Sequence, residues 1–409
     1  MSSSLRTTLP TLLALLIGYA LMQTGNTLQG TLLSVRGSLE GFSPAEVGAV
    51  GAAFWVGIVL GSLWAGHVIQ QVGHTRTFAG LAAVAASAAL LHLLVIDPLV
   101  WIVARALTGF CFAGLFVVVE SWLNASAAPQ TRGQILGLYG MTGLIAGIGG
   151  QMLLPASDPA GFRLFCLVAI LISLALVPVA LSRATAPTDA VGEVKINLRR
   201  LYRLSPFGVV AAILCGITTS SFFALGPVWA AARGADTVGI AIIMACGTLG
   251  GFVTTWPLGW LSDRMDRRHV IIGASAMASV ILLALVNFVP SDIPLWLVCF
   301  YVVVFGGSVI STYSIVIAHV NDMVRPGEFV AAAGGLLILQ GIGAAAGPVI
   351  AGMAMTAFGR IGLPYVIVAA QALMALWGIY RSLQRPSPAS KESFVPEPAV
   401  PVGTELGAR

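Results

Sequence analysis

Gly259-Trp260-Leu261-Ser262-Asp263-Arg264-Met265-Asp266-Arg267-Arg268 carries five charges in ten residues, in a chain whose charged share is only 9%. The segment stands between two apolar runs, Thr237–Leu261 and Val270–Val289. A second segment, Gly66-His67-Val68-Ile69-Gln70-Gln71-Val72-Gly73-His74-Thr75-Arg76, sits in the same place between Pro44–Ile69 and Thr77–Ile96. A shift of 193 residues lays Gly66 on Gly259 and Gly57 on Gly250, so the chain repeats itself. At a shift of 194 Gly133, Gly140, Gly147 and Gly149 fall on Gly327, Gly334, Gly341 and Gly343.

Composition says what medium the repeat lives in. Apolar residues make up 57% of the 409, whereas soluble domains hold about 45–50%, with about 25% charged. So few charges cannot solvate a water-soluble particle of this size, which excludes soluble enzymes, disordered chains and secreted disulfide scaffolds. A bilayer core about 30 Å thick needs roughly 20 apolar residues per helix. Twelve such runs are present: Thr8–Leu33, Pro44–Ile69, Thr77–Ile96, Pro98–Leu123, Gly133–Leu154, Phe165–Leu181, Phe207–Ala231, Thr237–Leu261, Val270–Val289, Pro294–His319, Phe329–Ala357 and Ile361–Tyr380. The runs are too long and too evenly apolar for barrel strands, so the expected fold is an all-α integral membrane protein of twelve transmembrane helices in two pseudo-symmetric six-helix bundles. Ser43-Pro44-Ala45-Glu46 predicts a capping box at the start of the second span. The expected divisions are 1–182 for the first bundle, 183–204 for a linker, 205–381 for the second bundle and 382–409 for a disordered tail.

Basic residues set the orientation, because Lys and Arg stay in cytoplasmic loops. With the N-terminus inside, 16 of the 21 lie on the cytoplasmic side and only Arg36, Arg163, Arg233 and Arg360 outside. Both termini are expected in the cytoplasm, in the inner membrane of a bacterium. The first span is expected to be an uncleaved anchor. No Gly-Lys-Ser/Thr occurs, so no ATP site of the Walker type is expected. Cys111, Cys166, Cys215, Cys246 and Cys299 are odd in number and far apart, and read as small apolar residues within spans. No cofactor, metal, nucleic acid or catalytic group is expected, and a monomer suffices.

Two ionisable residues stand clearly inside a span, Arg105 and Glu120, and each needs a reason to be there. They are 15 residues apart, about 22 Å on a helix rising ~1.5 Å per residue, too far to pair. Arg105 is read either as an anchor for an anion or carbonyl or as a modulator of a proton site. Glu120 is read either as a proton-carrying carboxylate or as a gate partner for Arg76 or Arg132. Asp322 is the counterpart gate acid for Arg264, Arg267 or Arg268. On the first span Gln23, Asn26 and Gly30 share one face with Gln29 at its edge, which predicts a face turned to water or solute. The repeat adds Thr218, Ser220 and Phe223 on the seventh span and Ser311 and Tyr313 on the tenth, with Glu120 opposite Tyr313 at the 193 shift. Trp55 and Trp229 offer faces for a ring.

The segment Gly259-x-x-x-Asp263-Arg264-x-Asp266-Arg267-Arg268 resembles the signature loop of the major facilitator superfamily, G-x-x-x-D-R-x-G-R-R, and Arg105-x-x-x-Gly109 resembles its fourth-helix motif. Asn26-Thr27-Leu28-Gln29-Gly30-Thr31-Leu32-Leu33, Gly73-His74-Thr75-Arg76-Thr77-Phe78, Glu120-Ser121-Trp122-Leu123-Asn124 and Asn321-Asp322 with Gly341-Ile342-Gly343 and Gly347-Pro348 are similar to the bacterial YcaD-like group. The first loop departs from the pattern, with Gln70 and Gln71 in place of Asp and Arg. The resemblance implies the major facilitator fold, an Arg105 that faces the central cavity, and secondary transport of a small organic solute by alternating access, which we expect to be proton-coupled. The alternative is a transport-inactive protein of the same fold that assembles with or binds a membrane partner.

Overall fold

In the computed structural model, residues 3–126, 131–181, 197–288, 293–325 and 328–384 are described. The first half contains α1 (Ser3–Leu39), α2 (Pro44–Val72), α3 (His74–Leu94), α4 (Pro98–Ser126), α5 (Arg132–Met152), α6 (Arg163–Leu174) and α7 (Leu176–Leu181). The second contains α8 (Leu198–Leu204), α9 (Pro206–Ala232), α10 (Thr237–Arg264), α11 (Arg267–Asn287), α12 (Leu295–Asn321), α13 (Phe329–Phe358) and α14 (Gly362–Gln384). No strand occurs among the described residues. Ten stretches are long and apolar enough to cross a bilayer, and one of them, Ala331–Gln384, holds both α13 and α14. The twelfth crossing is α1. The interior of the expected linker and the tail beyond Gln384 lie outside the described residues; Leu198–Leu204, at the linker's end, is helix α8.

Twelve crossings put the start of α1 and the end of α14 on one side, here called the near end; the opposite side is the far end. Local chemistry sets the boundaries. The Ser43 backbone N–H donates to Glu46 Oε2 at 2.7 Å and the Glu46 N–H to Ser43 Oγ at 3.3 Å, the expected capping box. The first helix runs to Leu39, past the expected end at Leu33. Arg36 permits this by pairing with Glu40 at 2.6 Å and donating to the Pro159 carbonyl at 3.3 Å. The sixth span is interrupted at Ala175, three residues before Pro178, into α6 and α7.

Each half is built on a pair of helices in backbone contact. A Cβ on Gly57 would strike the Ala106 carbonyl, and one on Gly109 the Phe54 carbonyl, so α2 and α4 touch main chain to main chain. In the other half Gly250 meets the Val303 carbonyl and Gly306 the Gly247 carbonyl, joining α10 to α12 in the same way. These contacts correct the register of the repeat. Gly57 and Gly250 differ by 193, but Ala106 and Val303, like Gly109 and Gly306, differ by 197. The fourth span therefore aligns with the tenth one helical turn further on, so Tyr313 matches Phe116 and Glu120 matches Ile317.

The halves meet through α2 with α13, α5 with α10, and α9 with α1 and α2. Gly48 lies against the Pro348 carbonyl and Gly51 against Ala224. Ser34 Oγ donates to the Ala224 carbonyl at 2.7 Å, and Thr248 Oγ1 to Gln151 Oε1 at 3.2 Å. Deepest are Gly341 against Val59, and Gly147 against Thr248. All of these contacts lie between mid-depth and the far end, where the two halves are joined.

Candidate functional site

Arg105 lies on α4, two turns in from Pro98, and is only 6% exposed. Its Nη1 donates to Gln29 Oε1 of α1 at 2.9 Å, and its guanidinium lies over the Phe54 ring of α2, 4.2 Å from the centroid. Gly30 lies beside it, where a Cβ would stand 3.5 Å from Nη2 in ordinary van der Waals contact. Among the described residues no acid is within ion-pair distance of Arg105. A buried ion costs several kcal/mol unless paired, and a cation–π contact returns only about 2 kcal/mol or somewhat more when desolvated. The site is therefore a fixed cation with a donor already in line, since Gln29 Nε2 is also buried without a partner. One and two turns along α1, Asn26 Oδ1 and Gln23 Oε1 are buried and unbonded as well. Phe54 was not among the expected residues; its signal is position, since its carbonyl is the one Gly109 packs against.

The expected residues of the second half are held differently. Thr218 is fully buried and accepts from Gln371 Nε2 of α14 at 3.0 Å. Ser220 Oγ donates to its own helix at Gly216, 2.7 Å away. Ser311 joins Thr254 and Thr255 of α10 at 2.9 and 3.1 Å, and Tyr313 is buried in the near-end core of this half. Phe223 is half-buried beside Phe222 at 5.3 Å. Of the possible ring platforms, Trp55 stands edge-on to Phe54 at 5.9 Å, whereas Trp229 carries Arg233 over its face at 5.4 Å. The structure thus brings together Gln29, Gly30 and Arg105, with Gln23 and Asn26 along the same helix, while Thr218, Ser220 and Ser311 serve helix-to-helix or own-helix bonds.

At the near end Arg267 is the centre of a buried network. Its Nε donates to Asp322 Oδ2 at 2.8 Å, and its Nη1 to Ser262 Oγ at 3.0 Å and Asp263 Oδ1 at 3.2 Å. The Arg267 and Asp322 side chains are 1% and 3% exposed. The network ties the last turn of α10, which holds Ser262 and Asp263, and the start of α11 to the end of α12 within one half. Arg268 pairs with Asp266 at 2.7 Å. Burial alone would raise the Asp266 carboxyl, but the Arg268 side chain and N–H outweigh it and hold it down at about 2. Arg264 is exposed and lies over Trp260 at 3.7 Å.

The first half has a different node in the same place. His74, the 193-shift counterpart of Arg267, is buried and its Nε2 is 3.0 Å from Ser121 Oγ. Beside it on α4, Glu120 is 3% exposed and faces Tyr139 and Tyr19, whose rings are 4.1 Å apart. Arg76 is exposed, and the Arg132 side chain lies outside the described residues. No cluster of three or more His, Cys, Asp or Glu able to hold a metal occurs among the described residues.

Comparison with known proteins places this geometry. The chain matches the Major Facilitator Superfamily over residues 15–326 and, overlapping, 209–406. It is 26% identical over 378 residues to an "Uncharacterized MFS-type transporter" of Yersinia pestis (strain Pestoides F), spanning 90% of this chain and 95% of that one. It is 25% identical over 377 residues to the "Uncharacterized MFS-type transporter YcaD" of Escherichia coli O6:K15:H31 (strain 536 / UPEC), spanning 90% and 94%. Among solved structures the nucleoside transporter NupG superposes with TM-score 0.76 at 13% identity, over 91% of this chain and 98% of that one. A bacterial homolog of the human lysosomal transporter Spinster, inward-facing and unoccupied, superposes with TM-score 0.75 at 16% identity, over 95% and 100%.

Proposed function

We propose that this chain, which belongs to the Major Facilitator Superfamily, is a secondary carrier that moves a small organic solute across the inner membrane by rocking its two halves about a site centred on Arg105. The observation that carries this reading is the buried Arg105, with no acidic partner among the described residues, opposite an α1 polar face in a multi-pass membrane protein. A solute that presents a carboxylate, a phosphate or a polar carbonyl supplies what Arg105 and Gln29 Nε2 lack. Trp55, partly buried beside Phe54, is the ring a planar solute would lie against.

Closure at the far end supports a carrier whose site opens at the near end. By the distribution of Arg and Lys the near end is cytoplasmic, along with both termini. In this reading the carrier works as a monomer and a proton moves with the solute. Glu120, a buried carboxylate beside two tyrosine hydroxyls, is the acid we assign to that step.

The test is uptake by proteoliposomes under an imposed pH gradient, together with a thermal-shift screen of acids, vitamins and nucleosides. Solutes that bind the folded state raise its unfolding temperature by mass action. A stabilising solute should lose its effect in Arg105→Gln, and Glu120→Gln should still bind it while losing the response to the gradient. No uptake of any stabilising solute under any gradient would overturn the carrier reading.

A further inference from the structure

Two of the five cysteines, read from sequence as isolated, stand side by side. Cys246 of α10 and Cys299 of α12 are within hydrogen-bonding reach of each other, and both are free thiols. The seam between the helices explains why. Gly247 lies opposite Val302 and Gly306, Gly250 opposite Val303 and Gly307, Thr254 opposite Gly307 and Ser311. The numbers rise together, so the helices run parallel. Gly250 touches the Val303 carbonyl, and four residues back along each helix are Cys246 and Cys299, at the same offset of 53. One turn from a main-chain contact, two Cβ atoms at matched heights are brought towards the separation of about 3.5–4.5 Å that a disulfide needs.

The pair is also accessible from one side. Both cysteines are partly exposed, and their neighbours Leu249, Val253, Trp296 and Phe300 are exposed apolar side chains. That face is turned towards lipid. The first half has no such pair: the matching positions are Ala53 and Ile102.

We propose that Cys246 and Cys299 are a reversible dithiol site that closes to a disulfide across α10 and α12. Its co-reactant is a lipid-soluble quinone, the class of two-electron oxidant that reaches a lipid-facing pair. Two S–H bonds break and one S–S bond forms, and both electrons and both protons leave on the quinone as hydroquinone. The bond staples the helix that meets the other half, since Thr248, two residues beyond Cys246, is bonded to Gln151. A charged, water-soluble disulfide should oxidise the pair far more slowly.

The experiment uses full-length protein in lipid nanodiscs, reduced and then exposed to a short-chain quinone. Free thiols are alkylated in denaturant and counted by intact mass. Reduced protein should take up five alkyl groups, as it has five cysteines, and oxidised protein three. Peptide mapping should then show a Cys246–Cys299 cross-link that a thiol reductant reverses. Cys246→Ser and Cys299→Ser should each stay at four after quinone, and Cys111→Ser should fall from four to two. Five alkyl groups after quinone, or a link that joins two chains, would overturn the proposal. Because the readout is chemical, it stands or falls independently of whether the chain carries a solute. Peptide mapping of the unmodified chain decides the matter even where a variant fails to fold.

Discussion

Replacing Arg267 by Met removes the centre of the near-end network and leaves Asp263 and Asp322 without the cation that holds them at 3.2 and 2.8 Å. Both members of the closer pair are almost wholly buried, and breaking a buried ion pair by removing one partner costs about 3–5 kcal/mol. The two sides of the pair are unequal. Asp322→Asn leaves Arg267 its bonds to Asp263 and Ser262 and removes only the charge assistance of its two bonds to Asp322, the stronger at 2.8 Å, so it should cost about 1.5–3 kcal/mol. Arg264→Met is the control: that side chain is exposed on Trp260, and a surface change of this kind stays within about 0.5 kcal/mol. Equilibrium unfolding of purified protein in mixed micelles, followed by circular dichroism, gives the three values. The double variant Arg267→Met/Asp322→Asn should be less damaged than the sum of its parts, because the stranded carboxylate has been neutralised. If Arg267→Met costs no more than Arg264→Met, the network is not a structural centre and the reasoning fails.

Arg105→Gln should weaken binding of an acidic solute by about 10- to 100-fold, the value of a charge-assisted hydrogen bond of about 1.5–3 kcal/mol, and Arg105→Lys should restore only part of it; titration calorimetry decides. Asp266 should make stability depend on acid pH. Its carboxyl is held at about 2 against an ordinary 3.8, so its contribution is complete above pH 3.8 and disappears as the pH falls through about 2. Discounted for the solvent around a partly exposed pair, that contribution is about 1 kcal/mol, measured as the gap between wild type and Asp266→Asn at neutral pH, which should close in acid. Gly57→Val and Gly250→Val should each destabilise by at least about 1–3 kcal/mol, since the new side chain meets main chain. Gly133→Ala and Gly273→Ala, where a Cβ meets nothing within 4 Å, should leave the melting temperature in detergent unchanged.

The spans were legible because a bilayer writes its thickness into the length of each apolar run, and the capping box at Ser43 was legible because it is local. The register of the repeat was not wholly so. A 193 shift read from loops carries over to α2 and α10, but α12 is one turn further along than α4, and a one-turn slip keeps every residue near its face. Composition therefore cannot see it; the carbonyls opposite Gly57 and Gly250 can. The polar residues of α9 and α12 looked like the lining of a cavity, yet a hydroxyl in a span is as well satisfied by a neighbouring helix, as Thr218 is by Gln371. Phe54 under Arg105 and the pairing of Cys246 with Cys299 depend on how two helices are set against each other, and sequence spacing within either one holds no trace of that. Arg267 was one of three arginines that sequence could offer to Asp322; only the course of the α10–α11 turn selects among them.

Arg105 has an electrical consequence. Its charge lies within a membrane-spanning helix, and a unit charge crossing the whole field of a 100 mV membrane is worth about 2.3 kcal/mol. If the chain is the carrier proposed above, an interior-negative potential would pull its empty form towards the inward-open arrangement, by the fraction of the field through which Arg105 moves. On the same proposal an anionic cargo would cancel the charge, and the loaded protein would reorient almost without regard to voltage. Voltage would then govern the return of the empty site and leave the loaded step alone, an asymmetry visible as a turnover rate that changes with potential only when reorientation of the empty carrier is limiting.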